Sequence, residues 1–91
     1  MNYALITGGS SGIGREYARE LAAQGWNLII VSNRNEDNLR VAEELSRQYG
    51  VMVEPLYADL TEADAAEKIY DHVQRLGIEV EVLINNAGML L

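Results

Sequence analysis

The sequence predicts an α/β fold built on a mostly parallel sheet, and three observations predict it. Four short apolar runs alternate with three longer stretches of helical spacing. The apolar runs are rich in Val, Ile and Leu, as strands covered on both faces should be. A glycine falls just past each helical stretch, where a left-handed residue closes a helix. The order β-α-β-α-β-α-β follows, within one domain covering residues 1–91.

Each element has its own justification. The first strand is expected at residues 3–6, an apolar run of Tyr3, Ala4, Leu5 and Ile6. The first helix places Ile13, Tyr17, Ala18, Leu21 and Ala22 on one face and ends before Gly25. The second strand is expected at residues 27–31, with Trp26 packing at its start. The second helix begins at Asn35, an N-cap residue type, and Glu36 and Asp37 complement the positive end of its dipole. Leu39, Ala42, Leu45 and Tyr49 share its apolar face, and Gly50 ends it. The third strand is expected at residues 52–57. Thr61 is placed as the N-cap of the third helix, with Asp64 at capping-box spacing. Ala66, Ile69, Tyr70, Val73 and Leu76 form that helix's apolar face before Gly77. The fourth strand is expected at residues 80–84, flanked by Glu79 and Glu81. Crossovers between parallel strands are right-handed. The first two therefore step in one direction with their helices on one face. A fourth strand returning beside the first puts the third helix on the other face and gives the strand order 3-2-1-4.

Composition narrows the function. Net charge is −7, and the seven basic residues are scattered, so no basic patch is available for nucleic acid. There is no cysteine, which excludes disulfides and thiolate metal sites. His72, the single histidine, reads as a helix-surface residue rather than a metal ligand. No apolar run approaches the ~20 residues that span a bilayer, and no signal-peptide pattern opens the chain. The expectation is a cytoplasmic protein with neither nucleic-acid nor membrane partners.

Three motifs carry chemistry. The first is Thr7-Gly8-Gly9-Ser10-Ser11-Gly12-Ile13-Gly14, between the first strand and the first helix. Glycines let a pyrophosphate approach the backbone, and the N–H groups of the first helical turn face its charge. Ser10 and Ser11 add hydroxyl donors. A plain strand-to-helix turn is the competing reading. The second motif is Asn85-Asn86-Ala87-Gly88 at the carboxyl end of the fourth strand. In the order 3-2-1-4, strands 1 and 4 flank the switch point where open α/β sheets bind ligands. The Asn side chains there could bond a ribose or satisfy only their own turn. The third is Asp59-Leu60 after the third strand.

On these three motifs, in this order, the chain resembles the N-terminal part of a short-chain dehydrogenase/reductase, over essentially all of its length. The resemblance implies a Rossmann-type sheet and a dinucleotide cofactor. It implies that the backbone of residues 8–14 cradles the pyrophosphate, with Gly8, Gly12 and Gly14 in the turn and Ile13 toward the nicotinamide. It places Asp59 and Leu60 at the adenine, and Asn85, Ala87 and Gly88 along the adenine-ribose side. Thr7 and Asn86 brace the scaffold. Cofactor choice turns on the end of the second strand, where a carboxylate would bond the ribose 2′-hydroxyl of NAD. This chain has Ser32, Asn33 and Arg34 there, which suit the 2′-phosphate of NADP, with NAD the alternative. The stretch is one residue longer than the usual pattern.

The family's catalytic Tyr-x-x-x-Lys pair does not occur among residues 1–91: the residues four positions after the five tyrosines are Thr7, Leu21, Val53, Thr61 and Gln74. Lys68, the single lysine, reads as a surface residue of the third helix. Only Met89, Leu90 and Leu91 follow the last motif. The chain therefore reads as a truncated, incomplete domain that holds a cofactor, with substrate bound only in a longer protein. An uncovered fourth strand predicts self-association or a homo-oligomer. A non-catalytic nucleotide-binding module and an inactive truncated product are the alternatives.

Overall fold

The computed structural model describes residues 2–9 and 12–86. Its elements are β1 (Tyr3–Thr7), α1 (Gly12–Ala23), β2 (Asn27–Ser32), α2 (Asn35–Tyr49), β3 (Val53–Tyr57), α3 (Ala65–Leu76) and β4 (Val80–Asn85). The four strands form one parallel sheet in the order β3-β2-β1-β4. The boundaries match the apolar runs to within a residue or so, because each run ends where polar or glycine residues begin.

Alternation along the strands divides the core in two. Ala4, Ile6, Leu28 and Ile30 face α1 and α2, meeting Ala18, Ala22, Val41, Ala42 and Leu45. Leu5, Ile29, Val31 and Leu56 face the other way, onto Ile69 and Val73 of α3. The helices thus cover both faces, as the right-handed crossovers require. The central strands are buried on both sides, β1 along its whole length and β2 from Leu28 onward. The outer strands are not: β3 and β4 are largely half-buried, and Leu83 is 59% exposed. The expectation of strands covered on both faces therefore holds for the inner pair and fails for the outer pair.

Pro55 sits inside β3 at no cost to the ladder. Leu28 N–H donates to the Met52 carbonyl at 2.8 Å, and Ala58 N–H to the Ser32 carbonyl at 3.1 Å. That phase points the even-numbered residues of both strands at each other. The nitrogen of Pro55 then faces away from β2, the one side on which a strand tolerates a missing donor.

The helix faces differ from the sequence expectation in a systematic way. In α1 the buried stripe is Gly14, Ala18 and Ala22, while Ile13 and Tyr17 are exposed. Small residues four apart let the helix axis lie close to the sheet, and their neighbours rotate outward by about 100°. In α2 the stripe is Asn38, Val41, Ala42 and Leu45, and Leu39 is exposed. In α3 it is Ala65, Ile69 and Val73; Ala66, Tyr70 and Leu76 are exposed. The expected caps also move. Arg34, not Asn35, is the N-cap of α2, and Asp64, not Thr61, that of α3; neither makes a side-chain capping bond. Thr61 is occupied elsewhere, with both its N–H and hydroxyl donating to Asp59. Gly25, Gly50 and Gly77 close the helices with positive φ, as expected.

Candidate functional site

The four carboxyl-terminal loops of a parallel sheet lie along one edge, and here hydrogen bonds tie them into a row. Gly8 N–H donates to the Val31 carbonyl at 2.7 Å, joining the loop after β1 to β2. Ala58 N–H on the Ser32 carbonyl joins β2 to the loop after β3. On the other side, the Thr7 hydroxyl donates to Asn85 Oδ1 at 3.0 Å, and Asn86 Nδ2 to the Gly8 carbonyl at 3.5 Å.

The glycine turn shows why its residues are small. Gly12, at the start of α1, has φ of +59°, which L side chains rarely adopt, and a Cβ there would meet nothing within 4 Å among the described residues. Its backbone therefore faces open space at a helix N-terminus, where unpaired N–H groups and the macrodipole favour an anion. Gly14 is the reverse case. A Cβ on it would stand 2.1 Å from the Gly8 carbonyl oxygen and 2.8 Å from Asn86 Nδ2. The Gly8 carbonyl is thus the point where the turn, α1 and the loop after β4 converge. Ile13, between these glycines, is 68% exposed at the mouth of the turn.

The loop after β2 carries the positive charge. Ser32 is buried, and its hydroxyl accepts the Arg34 N–H at 3.0 Å. Asn33 and Arg34 are exposed, and Arg34 pairs with no carboxylate among the described residues. After β3, one oxygen of Asp59 accepts the Thr61 hydroxyl at 2.6 Å and the Thr61 N–H at 3.0 Å. Those two bonds, the hydroxyl's first, hold the Asp59 carboxyl below its ordinary value. Leu60 packs partly buried against the α3-side core and anchors this loop.

Of the residues singled out from sequence, Gly8, Gly12, Ile13, Gly14, Ser32, Asn33, Arg34, Asp59, Leu60 and Asn85 all fall on this one edge. Ser10, Ser11, Ala87 and Gly88 lie outside the described residues. Gly9 has a packing role that the sequence did not show, and Asn38 went unnoticed altogether. Gly9 packs on Ile30, where a Cβ would come within 3.0 Å of the Ile30 side chain. Asn38 is fully buried beneath the site. Its spacing to Ala42 and Leu45 was the available signal, obscured because Leu39 offered a more apolar choice.

A second concavity, of about 590 Å³, lies between α3 and β4. Leu5, Ile69, Tyr70, Val73, Val80 and Leu83 line it. Among the described residues, none of the sequence-derived site residues lines it. No helix among the described residues is long and apolar enough to cross a membrane.

A βαβ unit with a glycine turn against the sheet edge, facing a second loop across the β1–β4 switch point, defines a class of dinucleotide-binding folds. The short chain dehydrogenase family profile matches residues 2–91, and the chain belongs to that family. Among curated relatives, 17-beta-hydroxysteroid dehydrogenase type 3 of Mus musculus is 40% identical over 88 residues, covering 97% of this chain and 28% of the relative. The chain thus spans little more than a quarter of the relative's length. Among solved structures, a short-chain dehydrogenase from Sphingobium yanoikuyae in complex with NADPH superposes with a TM-score of 0.86 at 38% identity, over 97% of this chain and 34% of that one. The L-sorbose reductase of Gluconobacter frateurii, complexed with NADPH and L-sorbose, gives 0.90 at 29% identity over 96% and 33%.

Proposed function

We propose that residues 1–91 are the NADP-binding part of an oxidoreductase acting on a carbonyl or alcohol carbon of a small-molecule substrate. When bound, the nicotinamide supplies hydride transfer to or from that carbon. This chain's own residues hold the cofactor. The turn at residues 8–14 offers its N–H groups to the pyrophosphate, and the tight seat of Gly14 under Gly8 keeps those groups aimed. Asp59 and Leu60 border the adenine side, and Asn85 with Asn86 fixes the opposite wall.

The observation that carries the reading is Arg34. An exposed guanidinium without a carboxylate partner among the described residues stands at the end of β2, beside Asn33 and Ser32. A carboxylate at that place would select NAD through its 2′-hydroxyl; a guanidinium fits a 2′-phosphate by paired, charge-assisted bonds. The NADPH bound by the two solved relatives supports the same choice. The test is titration of the native polypeptide with NADPH and NADH, before and after Arg34→Met. The reading expects NADPH to bind about tenfold tighter or more, and the substitution to remove most of that preference. A native protein that binds NADH at least as tightly would overturn it.

A further inference from the structure

Asn38 lies one turn into α2, is 0% exposed, and makes bonds that no capping or packing role requires. Its Nδ2 donates to the Ile30 carbonyl at 3.0 Å and to the Leu56 carbonyl at 3.3 Å. Both partners are carbonyls, so the amino end of the amide must face them. Oδ1 has no hydrogen-bond partner among the described residues. The side chain is therefore held through its amino group alone, which bridges β2 and β3. The backbone N–H of Asn38 donates to the Arg34 carbonyl at 2.9 Å. The Arg34 N–H in turn donates to Ser32 Oγ.

These bonds form a connected set. Ile30 is two residues before Ser32, and Leu56 three before Asp59. One buried amide thus pins the carboxyl ends of both strands to the helical turn that carries Arg34. By the ladder's phase, Ile30 O also accepts from Leu56 N–H and Leu56 O from Ser32 N–H. Neither carbonyl would be orphaned if the amide were lost. The amide adds position more than it completes the sheet.

We infer that Asn38 is a positioning residue for 2′-phosphate recognition: it sets where Arg34 stands relative to the loops after β2 and β3. The inference rests on the reading of Arg34 given above. A side chain of the same length without donors, Asn38→Leu, removes the tether while keeping the volume. Loss of the tether lets Arg34 move, so binding of the phosphorylated cofactor weakens while the shared dinucleotide contacts remain.

The experiment compares NADPH and NADH affinities in the native polypeptide and in its Asn38→Leu and Arg34→Met variants. The expected result is a preference for NADPH reduced about fivefold by Asn38→Leu, with NADH affinity changed less than about twofold. Equal weakening of both cofactors, or an unchanged preference, overturns the inference. If the native protein shows no preference for NADPH, the reading of Arg34 fails first and the inference goes with it. If the preference depends on Arg34 and not on Asn38, the inference alone fails. Should Asn38→Leu not fold, the amide protons of Asn38 in the native protein serve instead, followed by NMR. Their resonances should shift on adding NADPH and far less on adding NADH; identical responses to the two overturn the inference.

Discussion

Gly14→Ala should damage both the fold and cofactor binding, although Ala is the better helix former. Propensity alone favours the substitution by about 0.8–1 kcal/mol in a helix interior. Sterics oppose it. The added Cβ would lie 2.1 Å from the Gly8 carbonyl oxygen and 2.7 Å from its carbon, where real Cβ contacts essentially never fall below 3.0 Å. The obstacle is backbone, fixed by the Gly8 N–H bond to Val31, so no side chain can swing aside. Nearly an ångström of separation must be opened between α1 and the glycine turn. Overpacking of that kind costs about 1–3 kcal/mol or more, which overrides the gain in propensity. For a domain of this size each kcal/mol lowers Tm by about 4–8 °C. Thermal unfolding followed by circular dichroism should therefore show a drop of roughly 5–15 °C. NADPH titration should show weaker binding as the turn is displaced. The Gly12→Ala variant separates this effect from glycine content in general. A Cβ there meets nothing among the described residues, so its backbone strain at φ +59° is the cost that remains. A Gly14→Ala protein as stable as the parent, or more so, would refute the steric argument.

Two further predictions follow from the same edge. Thr7→Val removes the hydroxyl that donates to Asn85 Oδ1. A double-mutant cycle with Asn85→Ala, read by urea unfolding, should give a coupling of about 0.5–1.5 kcal/mol; strict additivity would contradict it. Thr61→Val removes the hydroxyl that does most to hold Asp59 below its ordinary 3.8. The carboxyl of Asp59 should then titrate closer to that value by NMR. The sign follows from linkage: a lowered native pKa contributes stability above the ordinary value and loses it as pH falls through the lowered one. The parent should therefore be slightly more stable than Thr61→Val at pH values above 3.8, and the difference should vanish as pH falls through the lowered value of Asp59.

The topology and most of the site edge were legible in the sequence for one reason. Strands β1 and β2 are continuous apolar runs bounded by glycine and polar residues, and the strand order follows once crossover handedness is imposed. The glycine turn could be placed because a strand precedes it and a helix follows. The inward positions Ala18, Ala22, Ala42, Leu45, Ile69 and Val73 were legible too, and what the sequence hid was the rest of each helix's buried stripe. Ile13, Tyr17, Leu39 and Tyr70 are the large apolar residues of their turns, and a pattern based on hydrophobicity selects them. Packing distance keeps Ala18 and Ala22 from the expected face of α1 and adds Gly14 in place of Ile13 and Tyr17, because close approach to the sheet rewards small side chains. Asn38 was hidden by the same bias, since a polar residue is assigned outward until its partners are seen. The misplaced cap at Thr61 has a different cause: Asp59 offers a nearer acceptor, and the turn it forms delays the helix to Ala65.

The most direct test of the whole account is a crystal structure of the native polypeptide with NADPH. The account predicts the pyrophosphate over the N–H groups of the residue 8–14 turn, and the 2′-phosphate within about 3 Å of the Arg34 guanidinium. A cofactor bound in the α3–β4 concavity, or a 2′-phosphate turned away from Arg34, would contradict it.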